Sequence, residues 1–252
     1  MPQLAAGGVV RDIDVVVLDK DGTLVDFDLA WRGRLARAIR AVAHAAEGDE
    51  RLVAELHRAL GSAGENGAIF PDGPYLSGTL GQNSITVATV LYQHGVSWNR
   101  AQAIAESRFH AILTAPPELD EIRGIGDVVT RLGQLKAHCM RIAIATNDER
   151  ASTLIGLRHL GIADLVDIVV CAGDAGLASK PAPDGLLHIA GTLGIAPDRL
   201  AMVGDSISDM MTGKAAGAGL TIGVLSGPST AEHLGPHADV IVPDIHALSV
   251  SS

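Results

Sequence analysis

Two carboxylates one residue apart open the chemistry of this chain. Asp19 and Asp21 lie in Asp19-Lys20-Asp21-Gly22-Thr23-Leu24, directly after the run Val15-Val16-Val17-Leu18. In an extended segment residues i and i+2 face the same way, so both side chains are expected to project from the carboxyl end of a strand. Carboxylates held close together repel unless a cation or a proton sits between them. Gly22 lets the chain turn sharply and approach a ligand. The same alternation points Lys20 away from both aspartates, toward solvent or the core edge. Read alone, the hexapeptide is equally well an Asx-rich turn after a strand.

Three later segments carry complementary groups. Thr146-Asn147 follows the apolar run Ile142 to Ala145 and offers a hydroxyl and an amide that can donate to an anion. Ser179-Lys180-Pro181-Ala182-Pro183 sets one lysine among rigid prolines. Gly204-Asp205-Ser206 follows Leu200 to Val203, and Asp209 lies four residues beyond Asp205. Ligands of open α/β sheets bind outside the carboxyl ends of the strands, where strand order reverses. The recurrence of carboxylates, hydroxyl, amide and lysine at successive strand ends favours a site over a set of loop residues.

The elements needed to position these groups can be read from hydrophobic patterning. The run at Asp14 to Leu18 is short and β-branched, as in a buried parallel strand. From residue 125 onward helices and strands alternate. Helices are predicted over Ile125 to His138, Glu149 to Leu160, Pro183 to Leu193 and Ser208 to Ala218. Strands are predicted over Arg141 to Ala145, Ile168 to Cys171, Leu200 to Val203 and Leu220 to Val224, with a last one at Asp239 to Val242. Such alternation implies right-handed βαβ units in one doubly wound parallel sheet, an α/β fold. The stretch between is different. Leu29 to Glu47, Asp49 to Ala63, Ser84 to Gly95 and Ser97 to Leu113 have helical spacing, with a Gly- and Pro-rich loop from Gly61 to Gly81.

Composition agrees with two bodies. The chain has 252 residues, 47% of them hydrophobic, enough to bury a core, and a net charge of −10 that disfavours nucleic acid or anionic membrane as a partner. All its aromatics fall between Phe27 and Phe109, and all its lysines (Lys20, Lys136, Lys180, Lys214) fall outside that stretch. The predicted organisation is an α/β core at 1–27 and 122–252 with a helical insertion at 28–121. Two cysteines cannot form a disulfide framework, and no segment has the layout of a signal peptide or membrane span. The expected location is therefore the cytoplasm.

The set Asp19-x-Asp21-Gly22-Thr23, Thr146-Asn147, Lys180-Pro181 and Asp205-x-x-x-Asp209 resembles the four motifs of the haloacid dehalogenase superfamily. The helical insertion resembles that superfamily's C1 cap, as in phosphoglycolate phosphatase-like hydrolases. The resemblance implies a magnesium-dependent phosphatase acting on a small phosphomonoester metabolite, a phosphoglycolate-like acid or a sugar phosphate. Asp19 would attack phosphorus to form an aspartyl-phosphate, and Asp21 would act as acid and base. Gly22, Thr146, Asn147 and Lys180 would hold the phosphate. Mg2+ would be held by Asp19, the Asp21 backbone carbonyl and Asp205, with Asp209 a ligand or a residue behind the ligands. The alternatives are a phosphomutase of the same superfamily and a receiver-like or non-catalytic phosphate-binding protein. A lysine-free insertion disfavours the mutases and the Schiff-base phosphonoacetaldehyde hydrolases. Dehalogenases lack an aspartate at the place of Asp21. Lys20 departs from the family, which commonly has an apolar residue there. The ten histidines show no paired ligand spacing and read as structural, as do Trp31 and Trp98. Arg32, Arg34, Arg37 and Arg40 read as a solvated helix face, with Arg32 nearest the hinge and a candidate for a substrate carboxylate.

Overall fold

The computed structural model describes residues 2–174 and 176–251. Residues up to Phe27 and from Pro116 onward cluster into one body, and Asp28–Ala115 form a second. The chain thus rejoins the first body at Pro116 rather than at residue 122. The helix before it stops at Thr114, where Pro116 and Pro117 cannot continue it. The turn Leu119–Glu121 then groups with the α/β body, held by reciprocal bonds between Glu118 and Glu121.

The second body is all helical: a π-helical turn Asp28–Arg32, then α1 (Gly33–Ala45), α2 (Glu50–Leu60), α3 (Pro74–Ser77), α4 (Leu80–Gln93), α5 (Trp98–Ile104), a π segment Ala105–His110 and α6 (Ala111–Thr114). Leu35, Ile39 and Val42 of α1 and Leu52, Leu56 and Leu60 of α2 recur at helical spacing and are buried. Asp49 caps α2 by accepting from the backbone of Arg51 and Leu52, and Gly61 ends it at φ 80°. Thr79 and Gln82 form a reciprocal capping box that starts α4 ahead of the expected Ser84. Two expectations change here. Arg34 is buried and donates to the carbonyls of Leu113 and Ala115, so it ties α1 to the end of the insertion and does not line a solvated face. Trp98 is 39% exposed, its ring edge-on to the still more exposed Tyr92 at 6.2 Å, so it is not core.

The first body is a six-stranded parallel sheet with a small antiparallel sheet. Its strands are β1 (Gln3–Ala6), β2 (Val9–Asp12), β3 (Val15–Leu18), β4 (Arg141–Glu149), β5 (Ile168–Ala172), β6 (Leu200–Gly204), β7 (Leu220–Val224), β8 (Val240–Val242) and β9 (Ser249–Ser251). The parallel sheet runs β5-β4-β3-β6-β7-β8, so strand order reverses between β3 and β6. Helices α7 (Val128–Ala137), α8 (Arg150–His159), α9 (Asp184–Leu193), α10 (Ile207–Ala216) and α11 (Ala231–Leu234) make the connections. Every residue of β3 is inaccessible, which is why Val15 to Leu18 reads as a continuous apolar run without alternation. The result is the doubly wound α/β fold. No helix among the described residues is long and apolar enough to cross a membrane.

Val240–Val242 is not the last strand. β9 pairs antiparallel with β1, which pairs in turn with β2 across the Gly7-Gly8 turn, where both glycines have positive φ. The β1–β9 pairing joins the two ends of the chain, so no local pattern announces it. Arg131 of α7 fixes this return: it donates to the carbonyls of Ile245, His246 and Leu248. Replacing Arg131 with Ala leaves three carbonyls without their donor and is expected to cost about 2–4 kcal/mol, with Arg131→Lys recovering part. Urea unfolding curves monitored by circular dichroism would measure it, and an unchanged midpoint would show that the clamp is not structural.

Candidate active site

The site is assembled where the sheet reverses. β3 delivers Asp19 at its carboxyl end, and the Asp19 backbone N–H donates to the Val203 carbonyl of the adjacent β6 at 2.9 Å. β6 in turn delivers Asp205. The same short reach brings in Asp209 from the first turn of α10. One carboxylate oxygen from each of Asp19, Asp205 and Asp209 lies within 4.8 Å of the others, and all three residues are buried.

Glycines make this closeness sterically feasible. A Cβ on Gly227 would fall 2.0 Å from Asp205 Oδ2, and one on Gly204 would fall 2.3 Å from the Asp209 carboxyl carbon. Gly22, at φ 82°, would bring a Cβ within 2.5 Å of the Asp205 carboxylate. Its N–H donates to the Val25 carbonyl and its carbonyl accepts from Ser226 Oγ. Gly22, expected at the phosphate, is thus also a close-approach glycine beside Asp205.

Lys180 sits between two of the carboxylates. Its Nζ lies 2.6 Å from Asp19 Oδ1 and 2.6 Å from Asp209 Oδ1. The other oxygen of Asp209 accepts from the Ser206 backbone N–H at 3.0 Å and from Ser206 Oγ at 2.6 Å, while Ser206 Oγ accepts from the Asp209 N–H. This is the capping box of α10, so one residue caps a helix and aims a lysine. With both oxygens so engaged, Asp209 is built first to hold Lys180. Thr23 Oγ1 reaches Asp205 Oδ1 at 3.4 Å.

Thr146, Asn147 and Lys180 border one small cavity. Thr146 and Asn147 lie in β4 where its register against β5 shifts between Ala145 and Glu149, an irregularity of the kind that re-aims side chains. Asn147 Nδ2 donates to the Lys180 carbonyl at 3.1 Å, and its Oδ1 accepts from the Lys180 N–H at 2.9 Å. Its side chain thus grips the backbone of Lys180, where the sequence had pointed to an amide aimed at an anion.

Lys20 departs furthest from expectation. It does not point away: its Nζ lies 2.6 Å from Asp21 Oδ1 and 3.1 Å from Asp148 Oδ2, and the residue is 6% exposed. Alternation sets where a Cβ points but not where a four-carbon stem can fold. Asp148 had no signal of its own beyond following Asn147. Asp21 is outside the three-carboxylate cluster. Arg32, the candidate from the helical body, pairs with Asp28 at 2.6 Å and, with Arg37 and Arg40, lines a cavity of about 610 Å³ within that body.

Electrostatics follow from burial. Desolvation pushes the Asp19 carboxyl up to about 7 against the pull of Lys180, with Asp209 and Asp21 adding to the rise. Asp205 is raised well above the usual carboxylate range, first by burial and then by the charges of Asp19 and Asp209. Burial would lower Lys180, but Asp19 and Asp209 overturn that and hold it above its ordinary value. With all three carboxylates ionised, one ammonium leaves a deficit of two positive charges. A divalent cation would balance it, and an all-oxygen donor set is what a hard cation takes. Asp19 and Asp205 could hold such an ion, with Asp209 at hand.

The family model for haloacid dehalogenase-like hydrolases matches residues 13–217, spanning every one of these groups but Gly227 and Ser226. The chain belongs to that family. This haloacid dehalogenase-like hydrolase is 30% identical to a phosphoglycolate phosphatase of Yersinia pseudotuberculosis over 226 residues, 86% of this chain and 84% of that one. It is 27% identical to a phosphoglycolate phosphatase of Shigella dysenteriae over 269 aligned positions, 96% of this chain and 91% of that one. In fold it is similar to a haloacid dehalogenase family hydrolase of Deinococcus radiodurans crystallised with bound phosphate and sodium, at TM-score 0.63 and 24% identity over 93% of each chain. Enzymes of this family generally use a divalent metal, and the buried cluster suits one.

A raised carboxyl pKa has a definite sign for stability. In the cation-free hydrolase Asp19 binds its proton more tightly folded than unfolded, so the site contributes less stability as pH rises from about 4 to above 7. A divalent cation binds the ionised form and opposes that loss. The gain in melting temperature on adding magnesium is expected to grow between about pH 6 and pH 8, and to disappear in Asp205→Asn. Differential scanning fluorimetry reads it, and a gain that is absent or shrinks with pH would contradict the assignment.

Proposed function

We propose that this hydrolase is a magnesium-dependent phosphatase that cleaves a small phosphomonoester through an aspartyl-phosphate on Asp19. The observation that carries the reading is the bridge of Lys180 between Asp19 and Asp209, beside a third buried carboxylate, Asp205. A lysine held at that point neutralises the nucleophile's surroundings, so that an anionic phosphate can approach an anionic carboxylate. Phosphate bound to a fold relative, and two relatives named phosphoglycolate phosphatases, support the same reading.

The chain's own residues would then act as follows. Asp19 attacks phosphorus; as its oxygen bonds, the ester P–O bond breaks and the leaving oxygen takes a proton from Asp21. Asp21, now a carboxylate, takes a proton from water as that water attacks phosphorus, and Asp19 and inorganic phosphate are released. Lys180 and Thr146 hold phosphoryl oxygens throughout, and Asn147 fixes Lys180 by gripping its backbone. Magnesium, when bound by Asp19, the Asp21 carbonyl and Asp205, supplies Lewis-acid polarisation of the phosphoryl group. Asp209 acts by orienting Lys180. The helical body Asp28–Ala115 is read as the C1 cap that selects the substrate, a phosphorylated small acid or sugar.

The test is phosphate release from a panel of small phosphomonoesters with and without magnesium. Wild type is expected to hydrolyse members of the panel only with the metal. Asp19→Asn should lose about 10³-fold or more. Lys180→Ala should lose about 10²–10³-fold, the scale of a lost oxyanion donor. A wild type inert toward the whole panel would overturn the phosphatase reading, and full activity in Asp19→Asn would remove the nucleophile.

A further inference from the structure

Lys20 and Asp148 have no part in the reaction just described, yet they are among the most constrained side chains near it. Burying an ammonium costs several kcal/mol unless it is paired, and even a well-paired buried ion contributes little net stability compared with an apolar side chain. Its presence at a buried position therefore asks for a reason other than stability. The contacts supply one. Both ends of Lys20 are held: its carbonyl accepts from the N–H groups of Leu24 and Val25, at 2.8 and 2.9 Å, and its Nζ lies between Asp21 Oδ1 and Asp148 Oδ2. Asp148 is itself fixed. Its Oδ1 accepts from the Glu149 N–H at 2.8 Å, and its own N–H donates to Thr146 Oγ1 at 3.1 Å. A continuous chain of bonds thus runs from Asp21 through Lys20 and Asp148 to Thr146, joining the loop after β3 to the irregular end of β4.

We infer that Lys20, anchored by Asp148, is a positioning residue for Asp21. By holding Oδ1 of that carboxyl group it leaves Oδ2 as the oxygen that exchanges the proton, and it stops the group from rotating or swinging toward the neighbouring carboxylates. The inference rests on the reading of Asp21 as acid and base. In the first half-reaction the proton on Oδ2 passes to the departing ester oxygen as the P–O bond breaks. Misplacing Oδ2 therefore harms only those substrates whose leaving oxygen needs that proton.

This selectivity separates positioning from a structural role. The experiment compares kcat/KM for an alkyl phosphomonoester, a poor leaving group, with that for p-nitrophenyl phosphate, whose phenolate departs unprotonated. The ratio kcat/KM reports the steps up to alcohol loss and so isolates the acid half of the cycle. Lys20→Met is expected to lower kcat/KM for the alkyl ester by about 10–100-fold and for p-nitrophenyl phosphate by less than about 3-fold. Lys20→Arg should restore most of the loss, and the magnesium-induced rise in melting temperature should persist. Asp148→Asn keeps Lys20 but loosens its anchor; it should show the same selectivity at several-fold, and it carries the test if Lys20→Met does not fold. Equal losses on both substrates, or none in either variant, overturn the inference. Asp21→Asn is the control: if it discriminates between the leaving groups and the Lys20 and Asp148 variants do not, Lys20 alone is misassigned. If Asp21→Asn does not discriminate, the acid–base reading falls and takes this inference with it.

Discussion

The constraint behind this structure is the burial of like charge at one edge of a sheet. Asp19, Asp205 and Asp209 are brought within a few ångströms of one another and away from water, and Lys180 pairs with two of them. The price is visible in Asp19 and Asp205, both pushed toward their protonated forms by desolvation. A fold can hold such a cluster only if the surrounding structure over-determines it. Here β3 and β6 are inaccessible over Val15–Leu18 and Leu200–Val203, and their carboxyl ends are locked in register by the Asp19 to Val203 bond.

The supports of the cluster are chiefly backbone and glycine. Gly22, Gly204 and Gly227 each press on a carboxylate so closely that no Cβ could be tolerated without displacing it. Ser206 and Asp209 put the start of α10 and the orientation of Lys180 under one set of hydrogen bonds, so the lysine cannot drift without uncapping the helix. Asn147 does the same from the other side by pairing with both backbone groups of Lys180. The positions that hold the site are thus spread over four strand ends, while the cost of holding it is met by helix capping and sheet pairing that the fold needs in any case.

How much of this was legible follows from what is local. The aspartates, Thr146, Lys180 and the alternation of helix and strand are written in short windows, and the buried strands show as uninterrupted apolar runs. What escaped was non-local. β9 finds β1 across the whole chain, and neither Ser249-Val250-Ser251 nor Gln3-Leu4-Ala5-Ala6 looks like a strand unless the other is known. Gly227 and Ser226 belong to the loop after β7 and meet Asp205 and Gly22 only in the folded protein. The residue types of Asn147 and Gly22 could not show that their polar groups bond within the protein itself. Lys20 failed for a different reason: a side chain's Cβ direction follows from strand geometry, whereas the path of a long flexible stem follows from where charge is waiting.

That charge lies in two separate groups, which explains how neighbouring aspartates come to differ. Asp19 and Asp21 are one residue apart and leave the strand together, yet the fold gives each its own ammonium. Lys180, from the loop ahead of α9, serves Asp19, whereas Lys20, from between the two aspartates, serves Asp21 and is shared with Asp148. Asp19 is drawn into a cluster with Asp205 and Asp209 that could hold a divalent cation, and burial there raises its carboxyl to about 7. Asp21 is drawn into a pair whose cation is already part of the protein, and it is the more exposed of the two. Under the proposed reaction, the first environment suits a carboxylate that shares a divalent cation, and the second fixes one oxygen of the group that passes a proton. The contrast between these identical side chains is set by which lysine each one meets.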